Sequence, residues 1–98
     1  MRESKIEAYL RREVARCGGR CLKFVSPGRR GVPDRIVQWP AGSVPLRAAR
    51  THYVETKAPG KKLKPHQARE GRWLVKNGFR HFVLDTKGAV DYYIRSYK

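Results

Sequence analysis

Seven residues, Pro27-Gly28-Arg29-Arg30-Gly31-Val32-Pro33, hold two prolines and two glycines. Neither a helix nor a strand can run through them, because proline removes a backbone donor and glycine resists ordering. They form a loop, and the rest of the chain must be built from short elements on either side. Upstream, Ile6, Tyr9, Leu10, Val14 and Cys17 recur at helical spacing, which predicts a helix over residues 4–16. Ser4 and Glu7 have the spacing of a capping box at its start, and Gly18-Gly19 stops it. Arg20 to Ser26 reads as a strand carrying Leu22, Phe24 and Val25. Downstream, Asp34 to Trp39 and Thr51 to Lys57 read as two strands of a hairpin, turn-like from Pro40 to Pro45, with its tip near residues 40–50. Ala58 to Lys64 is a basic loop, and Pro65 suits the first turn of a helix that runs to Asn77 and stops at Gly78. Gly71 inside that helix costs about 1 kcal/mol against alanine. Phe79 to Leu84 is a fourth strand, Thr86-Lys87-Gly88 a turn, and Ala89 to Tyr97 a short helix. The order is αβββαβα: one α/β domain of 98 residues, a mixed sheet with helices packed on it around a modest core.

Charge narrows the function. The chain has 23 Lys+Arg against 8 Asp+Glu, a net charge of +15 and a pI near 10.7. Such a field attracts polyanions, which points to nucleic acid, with a membrane surface as the weaker rival. No apolar run approaches the roughly 18–20 residues of a membrane span. The start, Met1 to Glu7, has no apolar stretch of the kind a secretory signal needs, so a cytoplasmic protein is expected. Cys17 and Cys21 are then reduced thiols. His52, His66 and His81 share no metal-ligand spacing with them, which sets zinc aside.

With so few carboxylates, their positions carry information. Asp34 opens one strand of the expected hairpin and Glu55 lies near the end of the other, so an antiparallel pairing brings them to one edge of the sheet. Glu55 and Lys57 alternate with Thr56 and project to the same face. Two converging carboxylates repel unless a cation lies between them, and a hard divalent ion with oxygen ligands, Mg²⁺ or Mn²⁺, is the natural occupant. Such an ion polarises a phosphoryl oxygen and lowers the pKa of bound water, while an ammonium at Lys57 can orient that water.

Gly31-Val32-Pro33-Asp34 followed by Glu55-Thr56-Lys57 resembles the PD-(D/E)XK nuclease superfamily. With a glutamate on the first helix, Glu7, and a glutamine on the helix after the catalytic strand, Gln67, the pattern is similar to the virus-type replication-repair nuclease (VRR-NUC) branch. The resemblance spans essentially the whole chain and shows no departure at the motif positions. It implies a restriction-endonuclease-like αβββαβ core and hydrolysis of DNA phosphodiesters with Mg²⁺ or Mn²⁺. By the same resemblance, Glu7, Asp34, Glu55 and the carbonyl of Thr56 would bind metal, Lys57 would assist the attacking water, and Gln67 would position Lys57 or the substrate. Arg29, Arg30, Arg35, Lys61, Lys62 and Lys64 would bind the DNA backbone. Stand-alone members imply a homodimer that cuts branched DNA such as four-way (Holliday) junctions.

Plainer roles compete at several positions. Glu7 can belong to the capping box with Ser4, Gln67 can be an ordinary exposed helix residue, and His66 can be incidental to its neighbour. Trp39 and Trp73 are expected in a core or interface, with base stacking as the alternative, and Asp85 and Asp91 look structural. Val90, Tyr92, Tyr93, Ile94 and Tyr97 are more apolar than one short helix needs and are candidates for a dimer interface. A non-catalytic basic nucleic-acid-binding protein, a monomeric flap or end nuclease and an interaction protein are the rival functions. RNA stays open as a substrate.

Overall fold

Three helices and four strands follow one another in the computed structural model, which describes residues 2–44 and 49–97. They are α1 (Glu3–Arg16), β1 (Arg20–Lys23), β2 (Arg35–Gln38), β3 (Thr51–Thr56), α2 (Pro65–Lys76), β4 (Arg80–Leu84) and α3 (Lys87–Tyr97). The order is the predicted one. Pro45 and the centre of the expected hairpin tip lie outside the described residues.

The sheet has strand order β1-β2-β3-β4, antiparallel through the first three and parallel between β3 and β4. A parallel pair needs a crossover, and α2 supplies it. Because directly paired residues share a face, the register sorts the side chains. Cys21, Val37, His52 and Arg80 fall on one face with Arg35, Val54 and Phe82. Leu22, Ile36, Tyr53 and His81 fall on the other with Glu55 and Val83.

The first face carries the core. Ile6, Leu10 and Val14 of α1, Val37 and Val54 of the sheet, and Val90, Tyr93 and Ile94 of α3 are buried together. This corrects the expectation that the C-terminal apolar residues form a dimer interface. The domain's own core absorbs Val90, Tyr93 and Ile94, and Tyr97 packs against it, which leaves only Tyr92 of that set exposed. Trp39 is core as well. His52 is fully buried but satisfied: Nδ1 accepts from the Tyr93 hydroxyl at 2.6 Å and Nε2–H donates to the Ala49 carbonyl at 2.9 Å. The Tyr93 oxygen in turn accepts the Trp39 indole N–H at 3.3 Å. Burial holds His52 below its usual pKa, in keeping with a neutral ring.

α2 packs on the second face, against β4. Gly71 permits the approach, since a Cβ there would lie 2.6 Å from the His81 ring. The glycine that argued against this helix from sequence is the residue that lets it dock.

Three local expectations are revised. Ser4 does not cap α1: the helix starts at Glu3 after Arg2, and no side chain caps it. β1 ends at Lys23, beyond which the Phe24 N–H still reaches the Asp34 carbonyl at 3.0 Å. The expected turn at residues 86–88 is instead the start of α3, where the Thr86 hydroxyl accepts the Ala89 N–H at 2.9 Å.

Candidate active site

The register Arg35↔Val54 places Asp34, one residue before β2, across from the last turn of pleat in β3. Both oxygens of Asp34 are held there. Oδ1 accepts the Thr56 backbone N–H at 3.2 Å, and Oδ2 accepts the Thr56 hydroxyl at 2.8 Å. Glu55, 4 % exposed, lies on the α2 face of the same strand end. Lys57 continues the alternation and is buried too, its N–H donating to the Leu84 carbonyl at 3.0 Å. The structure therefore brings Asp34, Glu55 and Lys57 to one corner, at the end of the central strand β3.

Gln67 reaches that corner from α2. Its Oε1 accepts the Lys64 N–H at 2.9 Å, which satisfies a free donor at the helix start. Its Nε2 donates to Glu55 Oε2 at 3.5 Å, a long contact. One side chain thus ties the start of the helix to the acid.

Electrostatics mark the corner. Burial, and then the charge of Asp34, push the Glu55 carboxyl up to about 8, against the opposing pull of Lys57. Burial also raises Asp34, although both of its bonds from Thr56 lower it. Glu7 and Glu3 add to the negative potential at both acids. Glu3 was not singled out in the sequence; its place one helical turn before Glu7 was the available signal.

Glu7 itself is engaged elsewhere. Arg35 Nε lies 3.1 Å from Glu7 Oε2, in an ion pair without hydrogen-bond alignment. That guanidinium holds the Glu7 carboxyl below the usual carboxylate range despite partial burial. Glu7 is therefore neither a cap for α1 nor free. Arg35, expected on the DNA backbone, is 7 % exposed and lies inside the domain. A buried guanidinium beside a carboxylate cannot also reach a phosphate on the surface.

The loop from Pro27 to Gly31 is pinned to α2 at two points. Arg29 Nε pairs with Glu70 Oε1 at 2.8 Å, and Gly31, at φ +84°, lies against the backbone of His66 and Gln67. Arg29 and Arg30 remain exposed, as do Lys61, Lys62 and Lys64 after β3. These five expected DNA contacts are accessible to solvent.

Among the described residues, no three Asp, Glu, His or Cys groups already form a metal-binding cluster. Asp34 and Glu55 nevertheless suit a hard cation. They are two neighbouring, partly desolvated oxygen donors, and the charge of Asp34 raises the proton affinity of Glu55, which is the electrostatic situation a divalent ion relieves.

Comparison with known proteins follows the same line. The chain is 47 % identical over 87 residues to "Putative nuclease p44" of Acyrthosiphon pisum secondary endosymbiont phage 1, covering 89 % of this chain and 86 % of that one. A solved structure described as a VRR_NUC domain matches it with a TM-score of 0.83 at 31 % identity, over 98 % of this chain and 97 % of the other. No family model matches the sequence.

Proposed function

From its membership of the VRR-NUC family of nucleases, to which this chain belongs, we infer that it is a Mg²⁺- or Mn²⁺-dependent DNA endonuclease that cuts branched DNA as a homodimer. The observation that carries the metal-dependent chemistry is the Asp34–Glu55 pair. In a chain of net charge +15, two of the eight acids share one largely desolvated corner beside a buried lysine. A protein that only held DNA would gain nothing from carboxylates that repel phosphate.

Asp34, Glu55 and the Thr56 carbonyl would hold the ion, joined by Glu7 on release from Arg35. When bound, the ion supplies charge to a phosphoryl oxygen and acidifies a water. Thr56 fixes the carboxylate plane of Asp34 through its N–H and its hydroxyl. Gln67 restrains Glu55 and anchors α2 beside it. Lys57, on the face of Glu55, orients the attacking water and offsets charge that builds on the phosphate. Arg29, Arg30, Lys61, Lys62 and Lys64 grip the backbone on either side. A two-fold dimer would present two such corners to the two opposed strands of a four-way junction.

The test is cleavage of labelled four-way junction, flap and linear duplex DNA in Mg²⁺, Mn²⁺ or EDTA, with Asp34→Ala as the control and light scattering for mass. Paired, metal-dependent, Asp34-dependent cuts in the junction by a dimer are expected. Cutting of flaps alone, by a monomer, would keep the nuclease and remove the junction. Salt-sensitive binding without any cutting would favour the non-catalytic binding protein.

A further inference from the structure

Two tryptophans of this chain have opposite fates. Trp39 is core, whereas Trp73 is 52 % exposed on α2. Trp73 shares one helical face with Arg69, Arg72 and Lys76, at i, i+3, i+4 and i+7 spacing. All four line a groove of about 850 Å³ between α2 and the Gly28–Arg30 loop. The one acid of that groove, Glu70, is neutralised by Arg29 at 2.8 Å.

The indole is held in place. It stacks on Phe79, ring centroids 6.2 Å apart and 16° between planes. Phe79 in turn meets Tyr53 edge-on at 5.9 Å. Tyr53 lies on the same face of β3 as Glu55. The aromatic series therefore starts on the catalytic strand and ends in a cationic groove. The groove and the acids adjoin along α2: His66 lines the groove, and the next residue, Gln67, touches Glu55. Trp73 follows Gln67 by six residues, about 9 Å along a helix, or roughly three stacked nucleotides.

We propose that this groove is a subsite for single-stranded DNA, in which an unpaired base stacks on Trp73 while Arg30, Arg69, Arg72 and Lys76 bind the flanking phosphates. The charge selects a polyanion. The open aromatic face selects an unpaired base, because a duplex keeps its base faces covered. A rigid aromatic with cations on its own helix face is the arrangement that single-strand binders use. The proposal rests on the reading of this protein as a DNA nuclease. It adds that a substrate carries an unpaired segment a few nucleotides from the scissile phosphate.

The experiment is done in EDTA, where no cleavage is required. The full chain is titrated with short oligo(dT) and, separately, with a blunt duplex of two fully complementary strands, while tryptophan emission and affinity are followed. Because Trp39 is buried, a DNA-dependent change reports Trp73. Oligo(dT) is expected to quench the emission and the duplex to leave it nearly unchanged. In Trp73→Leu the quench is lost, and the ratio of oligo(dT) to duplex affinity falls about 5- to 150-fold, the worth of one base–aromatic stack. Trp73→Phe restores part of the ratio. Trp39 emission in both variants reports that the core is intact. An unchanged ratio in Trp73→Leu, or equal quenching by both DNAs, would overturn the proposal. So would conversion of a dimer to a monomer by Trp73→Leu with the ratio intact, which would make the patch a contact between two copies. Trp73-dependent binding by a protein that cuts nothing would sink the nuclease and spare the subsite; normal cutting with an unchanged ratio would do the reverse.

Discussion

Replacing Gly31 by alanine puts a Cβ where there is no room for one. The residue sits at φ +84°, and an added Cβ would lie 2.4 Å from the His66 carbonyl oxygen and 2.7 Å from its carbon. Two costs separate here. The left-handed backbone conformation costs an L-residue about 1–2 kcal/mol, partly offset by about 0.4–1 kcal/mol from a stiffer unfolded chain. The overlap with the first turn of α2 adds about 1–3 kcal/mol, as overpacking does elsewhere, because backbone cannot rotate away. Gly60 isolates the first cost, since it has φ +77° and nothing within 4 Å of its Cβ position. Gly60→Ala is thus expected to lose about 1 kcal/mol and Gly31→Ala about 2–4 kcal/mol. At about 4–8 °C per kcal/mol for a domain of this size, Gly31→Ala melts roughly 10–25 °C below the wild type, and Gly60→Ala about 5 °C below it. Thermal unfolding by circular dichroism, supported by urea titration, measures both. Gly31→Ala is also expected to slow DNA cleavage, because the displaced turn carries Gln67. Equal melting temperatures for the two variants would refute the idea that the loop and α2 are locked together at Gly31.

The ion pair of Arg35 and Glu7 gives a pH signature. Its carboxylate, held low in the folded state, contributes stability above the ordinary value of 4.5 that is lost as pH falls through the folded pKa. Arg35→Ala is expected to cost about 2–3 kcal/mol at pH 7 and less at pH 4, read from urea midpoints; an equal cost at both would remove Glu7 from the pair. Glu55 has the opposite sign. Its folded carboxyl titrates near 8 against 4.5 when unfolded, so metal-free protein loses stability as pH rises between those values. In EDTA, the melting temperature of Glu55→Gln is expected to fall less than that of the wild type from pH 5 to pH 8, and parallel curves would contradict the assignment. Arg30→Ala lowers the salt slope of DNA binding by about one, whereas Arg29→Ala also frees the Glu70 carboxylate in the groove and weakens binding more. Equal loss in the two variants, read from affinity against salt, would detach Glu70 from that role.

The order of elements was legible because glycine and proline punctuate the chain at nearly every junction, and the apolar spacings between them are unambiguous. The corner of Asp34, Glu55 and Lys57 was legible for a similar reason. Antiparallel pairing and strand alternation alone bring them together, and the register does so. What sequence spacing missed was long-range. Glu7 fits a local capping box with Ser4, but a buried guanidinium 28 positions later attracts it instead. The same burial removes Arg35 from the DNA-facing set, which no charge count could reveal. Trp39 and Trp73 are alike as residues; one follows an inward strand position and the other an outward helix position, so only the placement of α2 separates core from groove. The aromatics of α3 looked surplus because sequence does not show that α1 and the sheet both press on that helix.

The most direct test of the account is single-turnover cleavage of a labelled DNA branch by the wild type and Glu55→Gln in Mg²⁺, with EDTA controls. The substitution preserves shape and removes only the charge. The account predicts EDTA-sensitive cutting by the wild type and a rate at least ~10²-fold lower in Glu55→Gln, with DNA binding retained or tightened, as expected when a charge stabilising the transition state is lost. Cleavage by Glu55→Gln at the wild-type rate would contradict the Asp34–Glu55 corner as the seat of the chemistry.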